Sequence, residues 1–357
     1  MKRIENLRNI LERNRTDGFM VSSKVNLAYL SGFTGSSGLG LVTQQELLLI
    51  VDGRYVEQAE KQAHAWTVER LGDDVIVFLR DRLALLGVKT LGIEAERVSQ
   101  AKYEELRAGL DGTQLMPTRG WVEGLRVIKD TTEIAAIEKA VSLGEDVLEQ
   151  VVSGIRAGIT EREIAAELYF RAMKAGAEAT AFETIVVSGP RTSLPHGMPT
   201  ERVLQPGELL TIDFGVILDG YCSDITRTYA VGDCDSRQRE VYKAVLGAHL
   251  AAAEAIKPGM TGVEAYETAV KTLQEAGLHE YFVHGLGHGV GLEVHEAPRL
   301  ARSKGAERPL EPGMTVTIEP GVYIPGWGGV RIEDLYVVKD TGLSDLNHSS
   351  RELRVLC

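Results

Sequence analysis

The chain has 357 residues, of which 44% are hydrophobic and 25% charged, and its formal net charge is −12. This is the composition of a soluble globular protein, long enough for two domains or for one large domain with an appendage. The acidic balance argues against nucleic acid as the main partner, and no apolar run approaches the roughly 18 residues needed to span a membrane.

In chain order, Ile4, Leu7, Ile10 and Leu11 form one helical face. Gly18–Ser23 reads as a short strand. Gly38–Val42 and Glu46–Val51 read as a hairpin around Thr43-Gln-Gln45. Helical patterns follow over Tyr55–Ala63, Val75–Leu86 and Ala101–Leu110, with a strand at Thr90–Glu94. This alternation predicts a compact α/β domain. Near residue 120 the character changes. Asp130-Thr-Thr-Glu133 carries a helix cap with its reciprocal acid, and a long helix should run to about Val152. Thr160 and Glu163 repeat the signal. Strands and tight turns begin at Ile185, and helices return over Asp235–Ile256 and Gly262–Ala276. The boundary is placed between domains 1–124 and 125–357. Cys222, Cys234 and Cys357 are too few for a disulfide framework, and the charged N-terminal stretch lacks a signal peptide's apolar segment. An uncleaved cytoplasmic protein is expected.

The second domain repeats itself. Leu204-Gln-Pro-Gly-Glu-Leu-Leu-Thr-Ile-Asp-Phe-Gly-Val216 recurs as Leu310-Glu-Pro-Gly-Met-Thr-Val-Thr-Ile-Glu-Pro-Gly-Val322, with seven of thirteen positions identical. Each copy carries an acid, Asp213 or Glu319, within an apolar run, where a lone carboxylate is costly unless something neutralises it. The turn signal Asp219-Gly220 between Glu208–Ile217 and Tyr221–Val231 pairs Leu218 with Tyr221, and so Asp213 with Thr226. Asp224 then lies diagonal to Asp213 on the same face. In the second copy, Val316–Ile324 and Val330–Val338 flank a glycine-rich loop. A turn centred on Gly326 puts Glu319 opposite Glu333. Like charges facing across a ladder destabilise it, and a bound divalent cation reverses that sign. Any one of these acids alone would pass for a solvated strand residue. Four together point to a duplicated fold around shared cations.

The segment Phe282–Arg299 holds His284, His288 and His295, three of the eight histidines, separated by glycines that permit close backbone approach. His196 follows Pro195. No cysteine pair accompanies them, so a structural zinc finger does not fit. Carboxylates with one imidazole favour a hard to borderline metal such as Mn²⁺. Bridging carboxylates would hold two ions about 3.5–4 Å apart, as in hydrolytic two-metal sites.

At these residues the chain resembles, over its whole length, the pita-bread metallopeptidases, and among them the Xaa-Pro peptidases prolidase and aminopeptidase P. Tyr29-Leu-Ser-Gly-Phe-Thr-Gly35 and Asp52-Gly-Arg-Tyr55 resemble the creatinase-type N-terminal domain. The resemblance implies an α+β pita-bread catalytic domain with an internal pseudo-two-fold repeat, preceded by a smaller α/β domain. It also implies five ligands for two divalent metal ions, Mn²⁺ first with Co²⁺ or Zn²⁺ as alternatives. Asp213 would hold one ion, His288 and Glu319 the other, and Asp224 and Glu333 would bridge. Glu319 is the expected proton shuttle. His196 and His295 would have catalytic and substrate-binding roles, Arg331 would lie on the substrate side, and His284 would either lie there too or support the loop that carries the ligand histidine. Arg299 matches an arginine that can pair with a dipeptide's carboxylate, against the plain alternative of a solvated surface arginine.

The implied substrates are short proline-containing peptides, with the dipeptidase reading ahead of aminopeptidase P activity on longer Xaa-Pro-Xaa peptides. Creatinase-like amidinohydrolase chemistry and a non-catalytic binding protein are disfavoured by the intact ligand set. A methionine aminopeptidase is disfavoured by the N-terminal domain. A homodimer is expected, with no nucleic-acid or membrane partner.

Overall fold

The computed structural model describes residues 2–356, so Cys357 lies outside the described residues. The chain divides into two compact units, the first ending at Arg126 and the second beginning at Val127.

The first unit is built on a six-stranded mixed sheet. Its strand order is Thr67–Arg70, Leu47–Val51, Leu39–Thr43, Gly18–Val21, Thr90–Glu94 and Gln114–Thr118. The hairpin Leu39–Thr43/Leu47–Val51 is antiparallel, and Gly18–Val21 runs parallel to Thr90–Glu94. Strand residues such as Leu41, Ile50 and Leu91 bury against Leu79, Leu83 and Leu106 of the helices. The first helix, Lys2–Arg13, buries Ile4, Leu7 and Leu11, as its spacing predicts. Four elements of this unit carry no sequence expectation, one of them the single-turn helix Glu123–Arg126. The two edge strands Thr67–Arg70 and Gln114–Thr118 are only partly buried, and the second contains Pro117, which suits an edge but hides a strand pattern. The helix Lys24–Ser31 buries Asn26, Leu27, Tyr29, Leu30 and Ser31. A segment buried on so many sides has no polar stripe to give it a period.

The second unit is α+β. Four helices, Thr131–Val152, Glu161–Lys174, Ser236–Ala255 and Gly262–Glu275, each begin with a full capping box. The cap residues are Asp130, Thr160, Asp235 and Thr261, and each returns its bond through Glu or Gln three residues on. These reciprocal bonds satisfy backbone donors that a helix start otherwise leaves orphaned. The helices fall in two pairs, each packed on its own strands. One core joins Val147, Leu148, Ile164 and Leu168 to Leu210, Ile212 and Phe214. The other joins Val245, Ala248, Ala265 and Leu273 to Val316, Ile318 and Val330.

The sequence echo is a structural repeat. Leu204 and Leu310, Leu210 and Val316, Ile212 and Ile318, and Val216 and Val322 are all buried at matched positions. Gly207 and Gly313 both have positive φ after a proline, the geometry of a type II turn at the mouth of each copy.

The long strands expected from sequence are interrupted. Glu208–Phe214 and Val216–Leu218 are separated at Gly215, and Tyr221–Cys222 and Ile225–Val231 at Ser223-Asp224. A Cβ at Gly215 would lie 2.2 Å from the carbonyl oxygen of Ser223. The two backbones therefore approach more closely at the break than any side chain allows. Gly215→Ala should cost about 1–3 kcal/mol or more, the usual penalty of overpacking a tight site. Urea unfolding at unchanged m-value checks it, and wild-type stability would contradict it.

Candidate metal centre

Each acid is set by a hairpin: Asp213 stays in its ladder, and Asp224, Glu319 and Glu333 sit where the ladder opens. In the first, Leu218 pairs with Tyr221 and Asp213 with Thr226, the register that Asp219-Gly220 predicts. Asp224 occupies the gap beside Ser223. In the second, Ile318 pairs with Asp334 and Gly321 with Arg331, so Glu319 and Glu333 fall on matched positions in an unladdered gap. The gap frees their backbone donors for other segments. The Glu319 N–H donates to Leu286 O at 2.8 Å, tying in the histidine segment, and the Glu333 N–H donates to Thr226 O at 3.1 Å, tying in the first hairpin. Sequence expected two continuous strands with the acids in the ladder. The break relieves the like-charge pairing that a ladder would impose.

The histidine comes from the short strand Gly287–Gly289. Its backbone N–H donates to Thr317 Oγ1 at 3.0 Å. Its Nδ1 lies 3.1 Å from Gly289 O, which fixes that nitrogen as the donor. Nε2 is left with a lone pair, 3.3 Å from Glu319 Oε1 and 3.6 Å from Asp224 Oδ2. Burial, aided by neighbouring His295, pushes the His288 imidazole down to about 3. A buried neutral imidazole with a free Nε2 is the form that ligates metals. Donor atoms of Asp224, His288 and Glu333 lie within 4.8 Å of one another.

The electrostatics of this cluster are lopsided. Burial first, then Asp213 and Glu319, pushes the Asp224 carboxyl well above its ordinary range. Burial and then Asp224 do the same to Glu333. Glu319 rises to about 8 through burial and the charge of Asp213, although its side chain keeps 17% of its surface open to the cleft. Burial raises Asp213 as well, opposed by Arg331, whose Nη2 donates to Asp213 Oδ2 at 2.6 Å. The other oxygen, Asp213 Oδ1, is buried and has no hydrogen-bond partner. Acids of this kind hold protons unless a cation replaces them. An orphaned carboxylate oxygen beside three further acids and a neutral imidazole fits divalent cations, with no thiolate among the donors.

Around the cluster runs a cleft of about 990 Å³, lined by His196, His284, His295, Arg299 and Arg331 among others. All ten residues singled out in the sequence line it. His295 stacks edge-on against His288, ring centroids 4.3 Å apart. His284 contacts Tyr323 Oη at 2.8 Å through Nε2 and Gly285 O at 2.7 Å through Nδ1. Arg331 is held on several sides, donating to Asp213, to Tyr323 Oη at 2.8 Å and to Thr226 Oγ1 at 3.1 Å. Arg299 is exposed.

Two site residues escaped sequence reasoning. Thr226 Oγ1 donates to Glu333 Oε2 at 2.6 Å, joining the hairpins. Tyr323 links His284 to Arg331. The register already placed Thr226 opposite Asp213, which was a usable signal. Tyr323 had none.

Residues 135–340 match the model of metallopeptidase family M24, and residues 3–128 match the creatinase/prolidase N-terminal domain. An Xaa-Pro dipeptidase of Pyrococcus furiosus is 37% identical over 357 residues, covering 99% of both chains. The solved structure of an Xaa-Pro dipeptidase from Bacillus anthracis superposes with a TM-score of 0.97 at 40% identity, covering 100% of this chain and 99% of the other. An X-Pro aminopeptidase from Thermotoga maritima gives a TM-score of 0.91 at 36% identity, covering 97% of this chain and 99% of the other.

The raised carboxyls have a consequence for stability. Groups that hold protons more tightly folded than unfolded lose stabilising power as pH rises between the two pKa values. For Glu319 that window runs from its ordinary 4.5 up to about 8. Cation-free protein should therefore melt several degrees lower at about pH 8 than at about pH 5.5, and a divalent ion should recover most of the loss at the higher pH. Scanning calorimetry of chelator-stripped protein checks this; a melting temperature rising across the window contradicts it.

Proposed function

The chain belongs to metallopeptidase family M24, and on that premise we propose that it is an Xaa-Pro dipeptidase, cleaving the bond before proline in dipeptides. The observation that carries the reading is the buried cluster of four acids and one neutral imidazole, in a chain similar from end to end to Xaa-Pro dipeptidases. Asp213 would hold one divalent ion and His288 and Glu319 the other, with Asp224 and Glu333 available to both. When bound, such a pair supplies water activated to hydroxide strength near neutral pH and a Lewis acid for the scissile carbonyl. Mn²⁺ is the ion we assign first, from a donor set of oxygens and one imidazole nitrogen.

The chain's own groups do the rest. Glu319 keeps 17% of its side chain open to the cleft, so it can take the proton lost by water and return it to the proline nitrogen. His295, on the cleft side of His288, donates to the oxygen that becomes negative in the transition state. His196 orients the peptide and the proline ring. Arg331 orients Asp213, and His284 reaches Arg331 through Tyr323. Arg299 faces the cleft and makes the charged, two-pronged contact that a free carboxylate accepts. Capture of the proline carboxylate there would favour dipeptides over longer peptides. We assign the enzyme to the cytoplasm as a homodimer. The chain has only three cysteines, too few for a disulfide framework, and no helix among the described residues is long and apolar enough to cross a membrane.

Likeness to an X-Pro aminopeptidase favours a second reading, action on longer Xaa-Pro-Xaa peptides. Parallel assays on an Xaa-Pro dipeptide and the corresponding tripeptide decide between them. Chelation should abolish hydrolysis and Mn²⁺ restore it; full activity after chelation and dialysis would sink the metal chemistry. Arg299→Ala should raise KM for the dipeptide by about 10- to 100-fold, the worth of a hydrogen bond to a charged group, and leave the tripeptide nearly unchanged. Equal effects on both would remove the dipeptidase argument.

A further inference from the structure

The segment 188–200 brings His196 to the cleft, yet no hydrogen bond to the His196 ring is present among the described residues, and the ring is exposed. Its place must come from the backbone beneath it. That backbone is short of regular structure: a 3₁₀ turn over Gly189–Ser193, then a tight turn in which Gly197 N–H donates to Leu194 O at 3.1 Å.

What fixes the segment is a carboxylate far from the acid cluster in sequence. Glu161 opens the helix Glu161–Lys174 and is 0% exposed. Its Oε1 accepts from the Ser188 N–H at 2.8 Å and the Ser188 hydroxyl at 2.9 Å. Its Oε2 accepts from the Thr200 N–H at 3.0 Å and the Thr200 hydroxyl at 2.7 Å. Arg191 Nε lies 3.2 Å from the same Oε2, and its Nη2 reaches on to Met198 O at 2.6 Å. One buried carboxylate therefore closes both ends of the loop and, through Arg191, grips its middle. The opposite side is held by the second hairpin. Gly329 N–H donates to Thr192 Oγ1 at 2.7 Å, and Arg331 Nη1 donates to Pro195 O at 3.3 Å.

We propose that Glu161 is a positioning residue for the reaction, holding the loop 188–200 so that His196 meets the substrate. This rests on the reading that His196 touches substrate. An ionised carboxylate is expensive to bury, and the cost is offset only when its donors are in place together. The loop then has one arrangement of low energy, and an otherwise untethered imidazole inherits that precision. The neutral amide of Glu161→Gln keeps the shape but turns an NH₂ group towards the donors of Ser188 or Thr200, releasing one end of the loop.

The test is a double-mutant cycle on metal-loaded full-length protein with an Xaa-Pro dipeptide. Glu161→Gln should lower kcat/KM by about 10-fold, through the same kinetic parameter that His196→Ala changes, with metal content per chain unchanged. In a His196→Ala background the same substitution should cost less than about 2-fold. Thr200→Val, which removes a single donor, should show the same pattern more weakly and decides the matter if Glu161→Gln does not fold. Equal losses in both backgrounds, or loss of metal, would overturn the role of Glu161 while leaving that of His196 intact. Wild-type activity in His196→Ala would instead overturn the reading of His196, and this inference with it.

Discussion

Four carboxylates gathered out of water against one guanidinium are the constraint on which the second unit depends. Asp213, Asp224, Glu319 and Glu333 are all pushed above the usual carboxylate range, and of the four carboxylates Arg331 donates to that of Asp213. A fold that selected for stability alone would place aliphatic residues there. The surrounding structure is arranged to keep the acids in place. Both hairpins open beside them, at Asp224 and at Glu319 and Glu333, and the freed donors of the second hairpin bind it to the first and to the histidine segment. Thr226 Oγ1 then bridges the halves by donating to Glu333 and accepting from Arg331.

The contrast between Glu333 and its neighbour Asp334 makes the division of labour visible. Both are buried, and burial pushes both upward. Asp334 is met by Arg227, His249 and Arg351, which hold it down to about 2. Glu333 meets mainly other acids. Consecutive residues thus carry an acid whose countercharge has to be supplied and, at the start of the next strand, an acid whose countercharge is built into the protein. Arg227 serves both, since its Nη1 also donates to Glu333 O at 2.7 Å. Ion pairing at Asp334 thereby stiffens the backbone that presents Glu333 just before the strand.

Much of this was legible in the sequence because it rests on local chemistry. The Asp219-Gly220 turn fixed the register that sets Asp213 opposite Thr226, and cap residues announced the starts of Thr131–Val152 and Glu161–Lys174. The repeated apolar positions announced two equivalent cores. What stayed hidden depends on contacts between segments far apart in the chain. The strand breaks at Gly215 and Glu319 follow from close backbone approach and charge crowding, which hydrophobic alternation does not record. Glu161, Tyr323 and Arg227 act across 27 to 107 positions of sequence. No periodicity reaches that far. The helix Lys24–Ser31 was hidden for a different reason, being buried on too many faces to show one.

The central claim is that the buried acids exist to hold two divalent cations. Titration of chelator-stripped protein with Mn²⁺, followed by calorimetry, reads it directly. The account predicts about two ions per chain, taken up with release of protons from the raised carboxyls, and a loss of that stoichiometry in Asp224→Asn and in Glu333→Gln, each of which removes a ligand shared by both ions. Two ions retained in either variant, or uptake by the wild type without proton release, would contradict it.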